Sequence, residues 1–463
     1  MQRLSEFGQA SLRTYTQIVL AFPLSGRAPA STIYQHLRAS LTRLGNSFPL
    51  LASEVHLKKS RFGEEAFILP PSSSGIPLWT EISDTNYADL AARGFPAQNF
   101  IHPDLDLNNT LNLNEGPVPV AHVRVKLIDG GFLLFLSLHH TLGDAYCLGL
   151  FAQAFAAATR GERIAVESSS PELHLPQDED ISSSTLLTLS RHTPEYEVLL
   201  NSNSGPSLPD ILPGGIPSEE IPGVSKIFAL KIDDIEQLRN KVRDVWGPVA
   251  RKPSAFTCMA ALTWAHVTKA RIASEPGIAP PSENANIAKL FTLVDFRRRF
   301  HDETEEYFGN ANVTVPTETS VEDLDSACEG QDVMALAKIV ARITTTFSNV
   351  DQTAILRREA LFKRITDYRR LALSQDRRIP GQLQFNSWRY FGGNDVWKLP
   401  GVGTKKPDSV RRVQGEVSLG NVLILPLNSE SEVYEISVQI PEMSMSALLQ
   451  DDGWMHWVHH TIG

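Results

Sequence analysis

The chain predicts an α/β fold of two units, and three observations carry that prediction. Strand-like and helix-like apolar periodicities alternate in both halves. A Ser/Pro-rich stretch separates the halves. One buried strand hands over to a helix through His139-His140-Thr141-Leu142-Gly143-Asp144. Strands interleaved with helical segments imply sheets covered by helices, and 463 residues suffice for two or more domains.

In the first half, Ile18 to Phe22 reads as a strand ended by Pro23. Thr32 to Leu44 carries Ile33, Leu37, Leu41 and Leu44 at the spacing of a helix face. Phe48 to Ala52 reads as a buried turn, and 57–115 as turns and short pieces. Val123, Val125 and Leu127 alternate with Arg124 and Lys126, the period of a half-buried strand. Asp129-Gly130-Gly131 supplies turn residues that tolerate positive φ. Phe132 to Leu138 is almost continuously apolar, as a strand buried on both faces should be. Ala145 to Thr159 is a helix rich in Ala, Leu and Phe, stopped by Gly161.

Residues 161–225 hold two Ser triplets, Asp178-Glu179-Asp180 and eight prolines between Pro171 and Pro222. They read as a linker with one helix around Thr185–Leu189. The second unit opens with a strand at Ile227–Ile232 and a helix over Asp233–Val245. Ser254 to Arg271 is apolar nearly all round and therefore a buried helix. Lys289–Val294 and Asn312–Val315 read as strands, Asp332–Asp367 as mostly helical, and Val422–Leu427 with Val433–Ile440 as a late β pair. The units are 1–160 and 226–463.

Composition narrows the function. With 43 basic and 53 acidic residues the net charge is −10, unsuited to binding a phosphate backbone. At 42% hydrophobic and 21% charged residues, disorder is excluded. Cys147, Cys258 and Cys328 are too few and too scattered for a disulfide framework. The apolar run Phe132–Leu136 is far below the roughly 20 residues of a membrane span. No signal peptide or lipidation signal is evident, so a cytoplasmic protein is expected.

Three HxxxD matches occur: His102–Asp106, His140–Asp144 and His174–Asp178. Only His140 stands where a buried strand becomes a helix, the place where α/β proteins expose catalytic groups to a crevice. A histidine satisfied by a backbone carbonyl is the plainer reading of the same position. Adjacent residues of a strand point to opposite faces, so His139 and His140 do not share a metal easily, and none is expected. No GxSxG elbow, phosphate loop, GxGxxG or HExxH occurs, and Gly401-Val402-Gly403 is too short to be one.

Around His140 the sequence resembles the acyl-CoA-dependent acyltransferases of the HxxxD (BAHD) superfamily, and within it the fungal trichothecene-acetyltransferase branch. Ile18 to Leu24 looks like the family's opening strand, and Phe48-Pro49-Leu50-Leu51-Ala52 like its FPLLAG segment, with Ser53 for glycine. His139 to Ala145 matches HHxxxDG except at Ala145. Ser254 to Arg271 looks like its buried mid-chain helix. Val294-Asp295-Phe296-Arg297-Arg298-Arg299 matches VDxRxR, Tyr307-Phe308-Gly309-Asn310 matches YFGN, and Asn386-Ser387-Trp388 stands where TSW is usual. The DFGWG signature due between Trp388 and Lys406-Pro407 is eroded.

The resemblance implies two chloramphenicol-acetyltransferase-like domains, each a mixed sheet flanked by helices, with the active-site channel between them. It implies acyl transfer from acyl-CoA, as co-substrate, to a hydroxyl of a secondary metabolite, with no bound cofactor and a monomeric enzyme. His140 is then the general base, and Asp144 turns away from it onto Arg297. Asn386, Ser387 and Trp388 are the local candidates to hold the oxyanion. CoA's phosphates need local positive charge in an acidic protein. Lys405, Lys406, Arg411 and Arg412 form the densest late cluster, and if that cluster faces elsewhere a donor other than CoA is expected. Two other readings keep the fold: a cyclisation or a condensation with a carrier-protein thioester, favoured by the eroded segment, and a non-catalytic binder.

Overall fold

The computed structural model describes all residues except 26–27, 61–62, 72–74, 108–110, 165–172, 200–213, 276, 279–285, 301–306 and 329–332. Twelve strands build its two large sheets. In chain order they are β1 (Tyr15–Pro23), β2 (Leu78–Asn86), β3 (Ala121–Asp129), β4 (Gly131–His139), β5 (Gly223–Lys231), β6 (Ile287–Asp295), β7 (Asn312–Ser320), β8 (Gln382–Ser387), β9 (Ser409–Val413), β10 (Asn421–Ile424), β11 (Val433–Pro441) and β12 (Val458–Ile462). The first sheet has the order β9-β1-β4-β3-β2 and the second β7-β6-β8-β10-β11-β5-β12.

Both sheets are mixed. In the first, only β2 and β3 run parallel. In the second, β6–β8 and β8–β10 are parallel and the other pairs antiparallel. All nine residues of β4 are buried, as its continuous apolar run requires. Its register with β1 runs unbroken from Tyr15 opposite His139 to Pro23 opposite Gly131. Pro316 is tolerated within β7 because that strand is an edge.

Seven helices matter to the site: α1 (Ala30–Ser47), α2 (Ala145–Arg160), α3 (Leu186–His192), α4 (Ile232–Trp246), α5 (Ala255–Ser274), α6 (Val333–Ser348) and α7 (Gln352–Arg364). The spacing read in α1 is the face it buries: Ile33, Leu37, Leu41 and Leu44. Helix α2 is capped at its start by Asp144 and stopped by Gly161 at φ +76°. Helix α5 is buried on almost every side, and its Trp264 donates Nε1–H to Gly381 O at 3.1 Å.

The sheets do not follow the division drawn at 161–225. Residues 223–225 already belong to β5, and β9, from the late chain, forms the edge of the first sheet beside β1. Within the stretch read as linker, Tyr196–Val198 pairs with Leu371–Leu373, and α3 forms where one helix is expected. The segment 57–115, read as short pieces, contains β2 and a hairpin of Glu54–Ser60 with Gly63–Leu69. Among the described residues no helix is long and apolar enough to cross a membrane.

Candidate active site

A cavity of about 810 Å3 opens between the two sheets. Thr14 to Gln17 line it from β1 and its approach, Asp144 to Tyr146 from the start of α2, Asp295 from β6, and Asn386 to Trp388 from the end of β8. His140 stands on its wall, one residue beyond β4.

The two histidines part as strand alternation requires. His139 points into the core, with Nδ1 2.7 Å from Thr141 Oγ1 and the ring edge-on to Tyr15 at 4.9 Å. Burial lowers its pKa to about 3. His140 faces the cavity. Its backbone N–H donates to Thr14 O at 2.7 Å, which ties the end of β4 to the approach to β1. Its Nδ1 is buried without a hydrogen-bond partner, which leaves Nε2 as the nitrogen toward the cavity. Burial lowers the His140 pKa, and its own carbonyl, the Asp144 charge and Asn310 offset this only in part. The ring is therefore a neutral imidazole at neutral pH.

Asp144 does not orient that ring. Arg297 Nη2 donates to both carboxylate oxygens at 3.0 Å, Ala311 N and Asn312 Nδ2 each to Oδ2 at 3.1 Å, and Cys147 N to Oδ1 at 3.2 Å. Burial pushes the carboxyl up, but the Arg297 charge and these N–H groups outweigh it and hold its pKa below the ordinary carboxylate value. Arg297 also donates to Tyr307 O, Gly309 O and Asp295 Oδ2, and its guanidinium lies 4.4 Å from the Tyr146 ring centre. The group is a clamp between α2 and residues 295–297 and 307–312. It fixes where β4 ends, and so where His140 stands.

Asn310 is the residue that sequence reasoning did not assign. Its Nδ2 donates to His140 O at 2.8 Å and to Thr141 O at 3.2 Å, which holds the histidine loop from the opposite side. It is the last residue of the YFGN match, but only the tertiary fold brings it 170 positions back along the chain. Gly143 shows the same crowding: a Cβ there would lie 2.6 Å from Cys147 Cβ.

Asn386, Ser387 and Trp388 all line the cavity. Asn386 Oδ1 accepts from Ser387 N at 2.7 Å, which directs Nδ2 away from the strand with no acceptor among the described residues. Trp388 Nε1 is buried and also lacks a partner. Asn386 Nδ2 is therefore the spare donor on the wall that His140 shares, while the Trp388 nitrogen, although its ring lines the cavity, is closed off from it.

The four late cations do not make one basic mouth. Lys405 is held by Asp408 at 2.7 Å, and Lys406 by Ser429 at 2.8 Å and Glu430 at 3.3 Å. Arg411 is buried, bound to both oxygens of Glu435 and to the carbonyls of Gly94 and Phe95. Arg411 and Arg412 are neighbours on β9 and so face opposite sides, and of the four only Arg412 lines the large cavity. The cavity is lined by four arginines, Arg13, Arg369, Arg377 and Arg412, and by five carboxylates, Glu64, Asp106, Asp144, Asp295 and Asp367, with Arg369 held by Asp367.

The eroded segment is a packed hairpin, Trp397–Leu399 against Gly403–Lys405. Trp397 is fully buried, 5.2 Å from Phe155 and 5.9 Å from Phe22 between ring centres, and does not line the cavity.

The model of the transferase family matches residues 2–453. The chain belongs to that family. It is an enzyme, an acyltransferase, as its ordered motifs predict. This transferase is 20% identical to trichothecene 3-O-acetyltransferase TRI101 of Fusarium sporotrichioides, over 97% of this chain and 94% of that one. It is 23% identical to acyltransferase easC of Emericella nidulans over 74% and 72%. The structure of F. sporotrichioides TRI101 complexed with coenzyme A and T-2 superposes with a TM-score of 0.77 at 18% identity, covering 100% of both chains. Vinorine synthase gives 0.62 at 17%, covering 99% and 93%. The transferase therefore has their mixed α/β fold.

Proposed function

We propose that this transferase moves an acyl group from acyl-CoA to a hydroxyl of a small secondary-metabolite acceptor, with His140 as general base and no covalent acyl-enzyme. The observation that carries the reading is His140 on the wall of the inter-sheet cavity, while Asp144 is fully engaged elsewhere. TRI101 has been captured with coenzyme A in the same fold, which supports CoA as the donor.

The chemistry follows from the groups present. The acceptor O–H gives its proton to His140 Nε2 as its oxygen attacks the thioester carbonyl carbon. Such proton transfer contributes roughly 10²–10⁴-fold. The tetrahedral oxyanion accepts a hydrogen bond from a preorganised donor, the role assigned to Asn386 Nδ2. Burial disfavours an isolated imidazolium, but here the cation forms beside an oxyanion that stabilises it. Collapse expels the CoA thiolate, which takes the proton back from His140. Ser387 shapes the same wall, and Asp144 and Arg297 hold the loop.

One observation favours a second reading. Lys405, Lys406 and Arg411 are spent on carboxylates and do not line the cavity. A carrier-protein thioester, or a cyclisation on the same His140, needs no phosphate cradle there. Calorimetry with CoA, beside thiol release from a panel of acyl-CoAs and alcohols, decides. Binding with acceptor-dependent thiol release supports the first reading. Absent CoA binding sinks it.

A further inference from the structure

Arg412 is a cation with no counter-charge. Its Nη1 donates to Asn421 Oδ1 at 3.2 Å, and Asn421 Nδ2 donates on to Gln384 Oε1 at 3.4 Å. Its guanidinium carbon lies 5.6 Å from the Trp388 ring centre. Among the described residues no carboxylate pairs with it, and the charge that bears on it is a second cation, Arg377, on the same cavity wall. Burial, reinforced by Arg377, draws its pKa down to about 10. Its neighbour Arg411 is the contrast, bound through two nitrogens to Glu435. Withdrawing a guanidinium from water without a partner is costly. A fold that keeps one open to a cavity leaves its counter-ion to a ligand.

Position decides which anion. Arg412 stands over Trp388 and lines the same cavity as His140 and Asn386. An anion held by Arg412 therefore lies in the cavity that holds the reacting centre. The phosphates of CoA are set back from the thioester by the whole pantetheine arm and belong at the mouth. The planar fork of arginine fits a carboxylate with two parallel hydrogen bonds. We propose that Arg412, with Arg377 and Trp388 beside it, is a specificity-determining residue that binds a carboxylate carried by the substrate close to the transferred group.

The proposal deepens the acyl-transfer reading and rests on it only for which molecule is the substrate. The carboxylate has two possible sources, the acyl chain or the acceptor, and the experiment separates them. Calorimetry compares succinyl-CoA with butyryl-CoA, and 3-hydroxydecanoate with its methyl ester. The acid of one pair is expected to bind wild type about ten-fold or more tightly than its neutral partner, the worth of a charge-assisted bond. Arg412→Gln should erase the difference, and Arg412→Lys, which keeps charge without the fork, should retain part of it. Circular dichroism establishes that each variant is folded. Equal affinities within both pairs for wild type overturn the proposal, as does a preference that survives Arg412→Gln. If no CoA thioester binds, the acyl-CoA reading fails, while the hydroxy-acid pair still decides this one.

Discussion

His140 and Asp144 sit four positions apart and do different work. The HxxxD pattern does not say so, because spacing carries no direction. The bonds from Arg297, Ala311, Asn312 and Cys147 do. Removing one partner of a buried ion pair costs about 3–5 kcal/mol, so Asp144→Ala should lose soluble protein and melting temperature. A well-folded Asp144→Ala with selectively lost turnover contradicts the clamp. Asn386→Ala removes one oxyanion donor, and kcat should fall about ten-fold or more with KM little changed. Unchanged kcat removes Asn386 from the mechanism. The pH profile follows from the sign of the His140 shift. Burial lowers its pKa below the usual 6.5, so the ring stays deprotonated, and competent as a base, below that value. Activity should be level through pH 6.5 and fall only at more acid pH, as His140 gains its proton. A limb centred at or above 6.5 contradicts the assignment. At this scale the pairing of Asp144 with Arg297 was legible in the sequence, and His140 and Asn386 line one cavity. The sequence was silent on Asn310 and gathered into one cluster four cations that the fold disperses, because those contacts join residues far apart in the chain.

The elements that were legible are those whose burial is one-sided or complete. Strand β4, helices α1 and α5 and the α2 stop at Gly161 follow from periodicity and capping alone. Strand β2 was not, since it is an edge with Trp79 and Ile82 exposed and no clean alternation. The turn from β4 into α2 is where local and tertiary demands meet. Gly143 has no space for a side chain, since a Cβ would lie 2.6 Å from that of Cys147. Gly143→Ala should destabilise by about 1–3 kcal/mol, the usual cost of overpacking, read as a lower midpoint in chemical denaturation. An unchanged midpoint shows that the turn can yield.

At the scale of the whole molecule, the two sheets are joined by more than a linker. Strand β9 leaves the second unit to pair with β1, and Arg411 on it reaches back to Glu435 of β11. Local periodicity does not reveal such an exchange, because five residues of strand look alike in either sheet. It makes the two sheets one cooperative body, so calorimetric unfolding should show a single transition. Two separated transitions show that the sheets melt independently. The exchange also delivers Arg412 to the cavity.

The most direct test of the central claim is single-turnover thiol release by His140→Ala against wild type, with saturating acyl-CoA and an accepted alcohol. The structure predicts a loss of roughly 10²–10⁴-fold, with CoA affinity and melting temperature close to wild type. Near-wild-type turnover by His140→Ala would contradict it.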